Sequence, residues 1–225
     1  MKAMFINGGP RKNFNTAQLL AKAMEGAQNA GAETELIHLY DYEYSGCRSC
    51  FACKLKGNKT AGVCAIRDSI RPVIEKTQRE ADIVVIGSPV YYGYPTGQAL
   101  NFVERLLFPA DSYLLDENGK RIVIPHKPTQ TAVIYTMNCP EPMMKRVKFD
   151  TILGFMGAEM GKVYGYNEIL HSCDTYQFSD YSRYDAVPNA EPRKRKQHET
   201  QFPIDLQKAY ELGERLVKRV QEAAQ

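Results

Sequence analysis

The fold turns on the stretch INGGPRKNFNTAQLLAKAM, residues 6–24. The apolar run AMFI (3–6) leads into Gly8, Gly9, Pro10 and Arg11, and an amphipathic helix opens at Asn15 and Thr16. A strand, a glycine turn, a cation and a helix start this close together suit an anion held at a helix N-terminus. Glycine lets the backbone approach, Arg11 offers a planar fork of donors, and the first helical amides favour negative charge. Asn15 reads as the N-cap, Gln18 as its capping-box partner, and Gly31 as the C′ glycine that stops the helix. The spacing matches neither G-x-x-x-x-G-K-[ST] nor G-x-G-x-x-G, which disfavours ATP hydrolysis and a standard dinucleotide site. An ordinary strand-to-helix turn uses the same residue types, so the anion reading needs a second signal.

Further along, the segments 34–40, 81–90, 129–137 and 160–169 read as strands. Helical periodicity covers 66–80, with Pro72 limiting its start, then 96–107, 143–157 and 204–225. The segment YLLDENGKRIVI reads as a hairpin about a type I′ pair, Asn118-Gly119. Strands alternating with helices predict an α/β fold, a doubly wound, flavodoxin-like parallel sheet of five strands with helices on both faces. The expected organisation is one domain over 1–225, with a hairpin insertion around 112–125 and an irregular arm around 171–203. The basic run RKRK (193–196) reads as solvated. In such a sheet ligands sit beyond the carboxyl ends of the strands, at the switch point.

Composition narrows the function. The chain has 225 residues, 44% hydrophobic and 24% charged, with a net charge of +3. That charge is too mild for a nucleic-acid footprint. No apolar run approaches the roughly 20 residues needed to cross a bilayer, and MKAMFING is too short and too weakly charged for a signal peptide. A cytoplasmic protein is expected. His38, His126, His171 and His198 stand at no recognisable catalytic spacing and receive no role. Glu104 reads as a solvated or salt-bridged side chain.

The second signal is SPVYYGYPTGQALNFVERL, which follows the third strand. Proline, tyrosines and glycine there would lie beside the first glycine turn, on the same sheet edge. Together with GGPRKNFNT, it resembles the NADPH-dependent FMN reductase family, close to its iron–sulfur flavoprotein branch. By motif order the likeness covers roughly the first 165 residues. The resemblance implies FMN as cofactor and NAD(P)H as co-substrate. It places Gly9, Pro10, Arg11, Asn15 and Thr16 around the phosphate, and Pro89, Val90, Tyr91, Tyr92 and Gly93 against the isoalloxazine. Thr136, Met137 and Asn138 would flank the ring. Hydride transfer to flavin requires no acid or base from the protein, so no catalytic residue is named.

Six cysteines remain, four of them in GCRSCFACKLKGNKTAGVC: Cys47, Cys50, Cys53 and Cys64. Cys-x2-Cys-x2-Cys gathers thiolates as iron–sulfur ligation needs. Four thiolates also suit tetrahedral zinc, and reduced thiols beside a flavin site are the third reading. The iron–sulfur relatives have a shorter last gap than the ten residues between Cys53 and Cys64.

The expected activity is electron transfer from NAD(P)H to a small acceptor such as a quinone or a flavin, by a homo-oligomer whose flavin site is completed across an interface. With a [4Fe-4S] cluster the protein would instead pass single electrons between a ferredoxin-like partner and FMN. A non-catalytic FMN-binding carrier and a flavin-free phosphate-binding scaffold are the rivals.

Overall fold

The computed structural model describes residues 1–57, 62–124, 128–187 and 190–224; His126 lies outside them. The chain runs β1 (Lys2–Asn7), α1 (Asn15–Asn29), β2 (Glu33–His38), α2 (Arg71–Glu80), β3 (Ile83–Tyr91), β4 (Tyr94–Pro95) and α3 (Gly97–Leu107). A hairpin follows, β5 (Asp111–Leu115) and β6 (Arg121–Val123), then β7 (Thr129–Thr136), α4 (Glu141–Arg146), α5 (Phe149–Tyr164) and β8 (Gly165–Ser172). The tail forms α6 (Ala190–Thr200) and α7 (Phe202–Ala223).

Five strands pair in parallel in the order β2-β1-β3-β7-β8, and the short β4 adds antiparallel to β3. Phe5 stands level with Leu36 on one side and Val85 on the other, and Val85 with Ala132. Alternation along the central strands serves two cores. Ala3, Phe5, Val85 and Ile134 pack under α1 and α7, whereas Met4, Ile6, Ile86 and Tyr135 pack under α2, α3 and α5. The doubly wound sheet expected from the sequence is therefore present, with its switch point between β1 and β3. Among the described residues no helix is long and apolar enough to cross a membrane.

Several local expectations are corrected. Phe14, not Asn15, is the N-cap of α1 and makes no side-chain cap; Gln18 bonds the Asn13 carbonyl instead of closing a capping box. Gly31 does sit at C′ with φ +98°, and the Ala32 and Gly31 amides bond the Ala27 and Gln28 carbonyls, a Schellman closure. Pro72 occupies the first turn of α2, which starts only at Arg71. The hairpin forms, but Asn118 is not at positive φ; only Gly119 is (φ +74°), and its amide bonds the Asp116 carbonyl. That is a tight turn followed by a left-handed glycine, not type I′. The helix expected at 143–157 is two helices broken at Lys148, which lies at φ +58°. MGKVY belongs to α5, because Leu153, Met156, Met160 and Tyr164 form one buried helical stripe.

The arm is also more ordered than expected. Its described irregular part is 173–187, and RKRK lies within α6. Lys194 is 2% exposed, its Nζ donating to Asp174 Oδ1 (2.7 Å) and to the carbonyls of Thr175 (3.0 Å) and Asn138 (3.1 Å). Arg193 pairs with the same Asp174. Burial pulls the Lys194 amine below its usual pKa, while Asp174 opposes the fall.

Candidate functional site

The first loop is set by close backbone approach. The Gly8 amide bonds the Gly87 carbonyl (2.7 Å), and a Cβ on Gly8 would stand 2.8 Å from that of Ala99. Thr96 caps α3, accepting from the Ala99 amide, and donates its hydroxyl to the Gly8 carbonyl at 2.6 Å. Asn7 Oδ1 accepts the Gly9 amide (2.9 Å), and its Nδ2 meets His38 Nδ1 at 3.0 Å. This loop delivers the chain to an α1 N-terminus with neither a side-chain cap nor an acid in the first turn. Those amides have no side-chain cap, and a helix N-terminus of this kind favours negative charge.

Gly9, Pro10, Arg11, Asn15, Thr16, Pro89 and Thr136 line one concavity at this edge of the sheet. Thr16 and Thr136 join across it, hydroxyl to hydroxyl, at 2.6 Å. The Arg11 guanidinium stacks on Phe14 at 3.7 Å and donates to the Gln177 carbonyl at 2.7 Å. Burial lowers its pKa, and a guanidinium stays cationic in any case. Asn15 Nδ2 donates to the Tyr176 carbonyl at 2.7 Å, so the arm straps over the loop.

The second loop is a two-residue hairpin in which Tyr91 pairs with Tyr94, and Tyr92 and Gly93 both have positive φ (+53° and +86°). The type I′ geometry anticipated at Asn118-Gly119 occurs here. Tyr92 is fully exposed, while Gly93 is buried with no room for a Cβ beside Phe149. Val90 is half-buried against the core.

The third loop divides. Thr136 reaches the concavity, but the Met137 side chain is 3% exposed in the core under α2, α3 and α5, and its carbonyl takes the Thr175 amide. Asn138 is exposed, its carbonyl held by Lys194.

Cys47, Cys50, Cys53 and Cys64 line a second cavity, of about 20 Å³, against α3. The long gap before Cys64 therefore does not remove it from the group. Ser49 and Phe51, flanking Cys50, are both left-handed and curl the loop inward. Gly46 lets it press on α3, where Glu104 accepts the Cys47 amide at 3.0 Å. Glu104 is thus a loop anchor. Burial raises the Cys53 thiol pKa. Among the described residues no three His, Cys, Asp or Glu side chains converge as a metal-ligand set, so these thiols share a cavity without closing on one point. Their chemistry suits a thiolate-bound metal or cluster, and the buried Arg105 on the same wall has an Nε–H without a partner.

Sequence reading missed Asn7, His38 and the arm carbonyls of Tyr176 and Gln177. Thr96 carried a signal, an N-cap residue before a helical pattern. His38 carried none, because its partner Asn7 is adjacent only through strand register.

An iron–sulfur flavoprotein of Archaeoglobus fulgidus is 46% identical over 105 residues, 47% of this chain and 48% of that protein. One of Methanocaldococcus jannaschii is 36% identical over 105 residues, 47% of this chain and 51% of its own. The matched region spans about half the length of these curated relatives. The fold resembles an NAD(P)H:quinone oxidoreductase from Methanothermobacter marburgensis, with a TM-score of 0.65 at 15% identity over 95% of this chain and 98% of that one. The profile of the NADPH-dependent FMN reductases matches residues 1–124, more than half of the sequence, and the chain belongs to that family.

Proposed function

We propose that the protein is an FMN-dependent oxidoreductase that transfers electrons from NAD(P)H to a small acceptor such as a quinone or a flavin. The observation that carries this reading is the shared concavity, where residues of the first, second and third loops meet at the switch point beside an uncapped helix N-terminus. Bound FMN would supply the hydride chemistry.

The chain's own residues would hold and orient it. Arg11 and the first turn of α1 would receive the phosphate, with Asn15 and Thr16 beside them. Asn7 and Thr96 keep the glycine loop in place. The backbone amides of the Tyr92-Gly93 turn would face the ring, and exposed Tyr91 and Tyr92 would offer it aromatic faces. Pro89, Val90, Thr136 and Asn138 would border the ring, whereas Met137 would contribute only through the core beneath.

The test is NAD(P)H oxidation by the FMN-loaded protein with quinone and ferric acceptors. Turnover supports the reductase. Tight flavin binding with negligible turnover would make the protein an electron carrier, and failure to bind flavin would leave only a scaffold.

A second reading, an iron–sulfur flavoprotein exchanging single electrons with a ferredoxin-like partner, is favoured by the four cysteines on one cavity. Iron and acid-labile sulfide after anaerobic purification decide it; near-zero iron removes it. We further propose a cytoplasmic homo-oligomer in which a second copy covers the exposed Tyr92 turn. A monodisperse monomer with full FMN affinity would contradict that assembly.

A further inference from the structure

Arg105 lies on α3, 1% exposed, with its guanidinium spread across both ends of the cysteine loop. Nη1 donates to the Ser45 carbonyl at 3.2 Å, two residues before Cys47, and Nη2 to the Ile66 carbonyl at 3.2 Å, two residues after Cys64. Asp68 takes both terminal nitrogens, at 2.5 and 2.9 Å. One planar side chain thereby ties the entrance of a long excursion to its exit, a closure that is otherwise entropically unfavourable. It also explains how Cys64 joins the other three thiols despite the ten-residue gap.

The remaining donor is informative. Arg105 Nε is buried and has no hydrogen-bond partner, although the side chain is otherwise saturated. Arg105 lines the cavity that the four cysteines line, and the Cys64 sulfur is within hydrogen-bonding reach of the guanidinium, so the acceptor that Nε lacks in ideal geometry is already a cysteine of this loop. An unpartnered buried N–H is costly, and an anionic sulfur on a metal-bound thiolate would satisfy it.

We propose that Arg105 is a positioning residue: it clasps the loop from Ser45 to Ile66 so that Cys47, Cys50, Cys53 and Cys64 bind one metal centre, and its free Nε–H donates to sulfur in the loaded site. This rests on the thiolate-metal reading of the cysteine loop. A lysine cannot reproduce it, since an ammonium is a point charge and cannot bridge two carbonyls and a carboxylate at fixed angles.

The test is an anaerobic titration of the FMN-loaded protein with cobalt(II), read by thiolate-to-cobalt charge-transfer absorption, with bound flavin followed in the same samples. Wild-type protein is expected to bind cobalt through four thiolates. Arg105→Lys should bind about 10- to 100-fold more weakly, as loss of a residue that orients metal ligands does, with fewer thiolates engaged and flavin content unchanged. Asp68→Asn, which leaves Arg105 in place but weakens its fork, should fall in between. If Arg105→Lys destroys the fold, Asp68→Asn alone is decisive. Wild-type cobalt affinity and thiolate count in either folded variant would overturn the clasp. No thiolate bands in the wild type would overturn the metal reading beneath it, a distinguishable failure.

Discussion

Thr16 at the start of α1 and Thr136 at the end of β7 share a 2.6 Å hydrogen bond, with both residues buried. The bond ties a helix N-terminus to a central strand at the wall of the concavity. Thr16→Val should cost about 1–3 kcal/mol, because the Thr136 hydroxyl loses its buried partner. FMN affinity should fall with it, while Thr16→Ser should preserve both. Urea melts and flavin titration check this; a valine variant with wild-type stability and affinity would remove the bond from the account.

His38 is expected to make flavin binding sensitive to acid. Asn7 holds the Gly9 amide with its oxygen, so its NH2 faces His38 Nδ1, which accepts only when deprotonated. Burial, then nearby Lys12, lower the His38 pKa, while Asp41 opposes them. The sign follows from a lowered folded pKa. The stabilisation is complete above the unfolded value near 6.5 and is lost as pH falls below it toward the folded value, at most about 1.4 kcal/mol per pH unit. FMN affinity should be flat above neutrality and weaken below it. His38→Gln, which can accept without titrating, should flatten that limb; an unchanged acid limb would assign it to another group.

Gly93 has φ +86°, and a Cβ there would stand 2.7 Å from the Phe149 ring. Gly93→Ala therefore combines left-handed strain of about 1–2 kcal/mol with a steric clash. It should lower stability and flavin affinity together. Adding Phe149→Leu should restore part of the stability but not the affinity, since the turn remains strained. Full restoration of both by the double variant would show that the turn itself does not matter.

The α1 and α7 helices interlock through paired glycines. A Cβ on Gly26 would sit 2.0 Å from the Tyr210 carbonyl oxygen, and one on Gly213 1.9 Å from that of Ala23. Backbone on both sides cannot yield cheaply, so Gly213→Ala should destabilise by about 1–3 kcal/mol or more. An unchanged urea midpoint would mean that the helices can part without loss.

The parallel sheet was legible because β1, β3 and β7 are buried on both faces, and their near-continuous apolar runs announce it. The turn from β1 into α1 was legible because glycines and a helix start adjoin in sequence. What misled was pattern without tertiary context. MGKVY alternates like a strand, yet continues the α5 stripe. RKRK reads as solvated, yet Lys194 is buried because Asp174 waits beyond the end of β8. Tyr92 carries no β-turn signature comparable to Asn118, but strand pairing forces it to positive φ. Arg105 falls within the helix expected at 96–107 and drew no reading of its own; its partners at Ser45, Ile66 and Asp68 exist only once the chain has folded.

The most direct measurement is a titration of flavin-free protein with FMN and with riboflavin, followed by flavin fluorescence, for wild type and Arg11→Ala. The account predicts stoichiometric FMN binding, much weaker riboflavin binding, and a loss in Arg11→Ala confined to FMN, about 10- to 100-fold for a charge-assisted hydrogen bond of roughly 1.5–3 kcal/mol. Equal affinity for the two flavins, or no binding of either, would contradict a phosphate held by the glycine loop and α1.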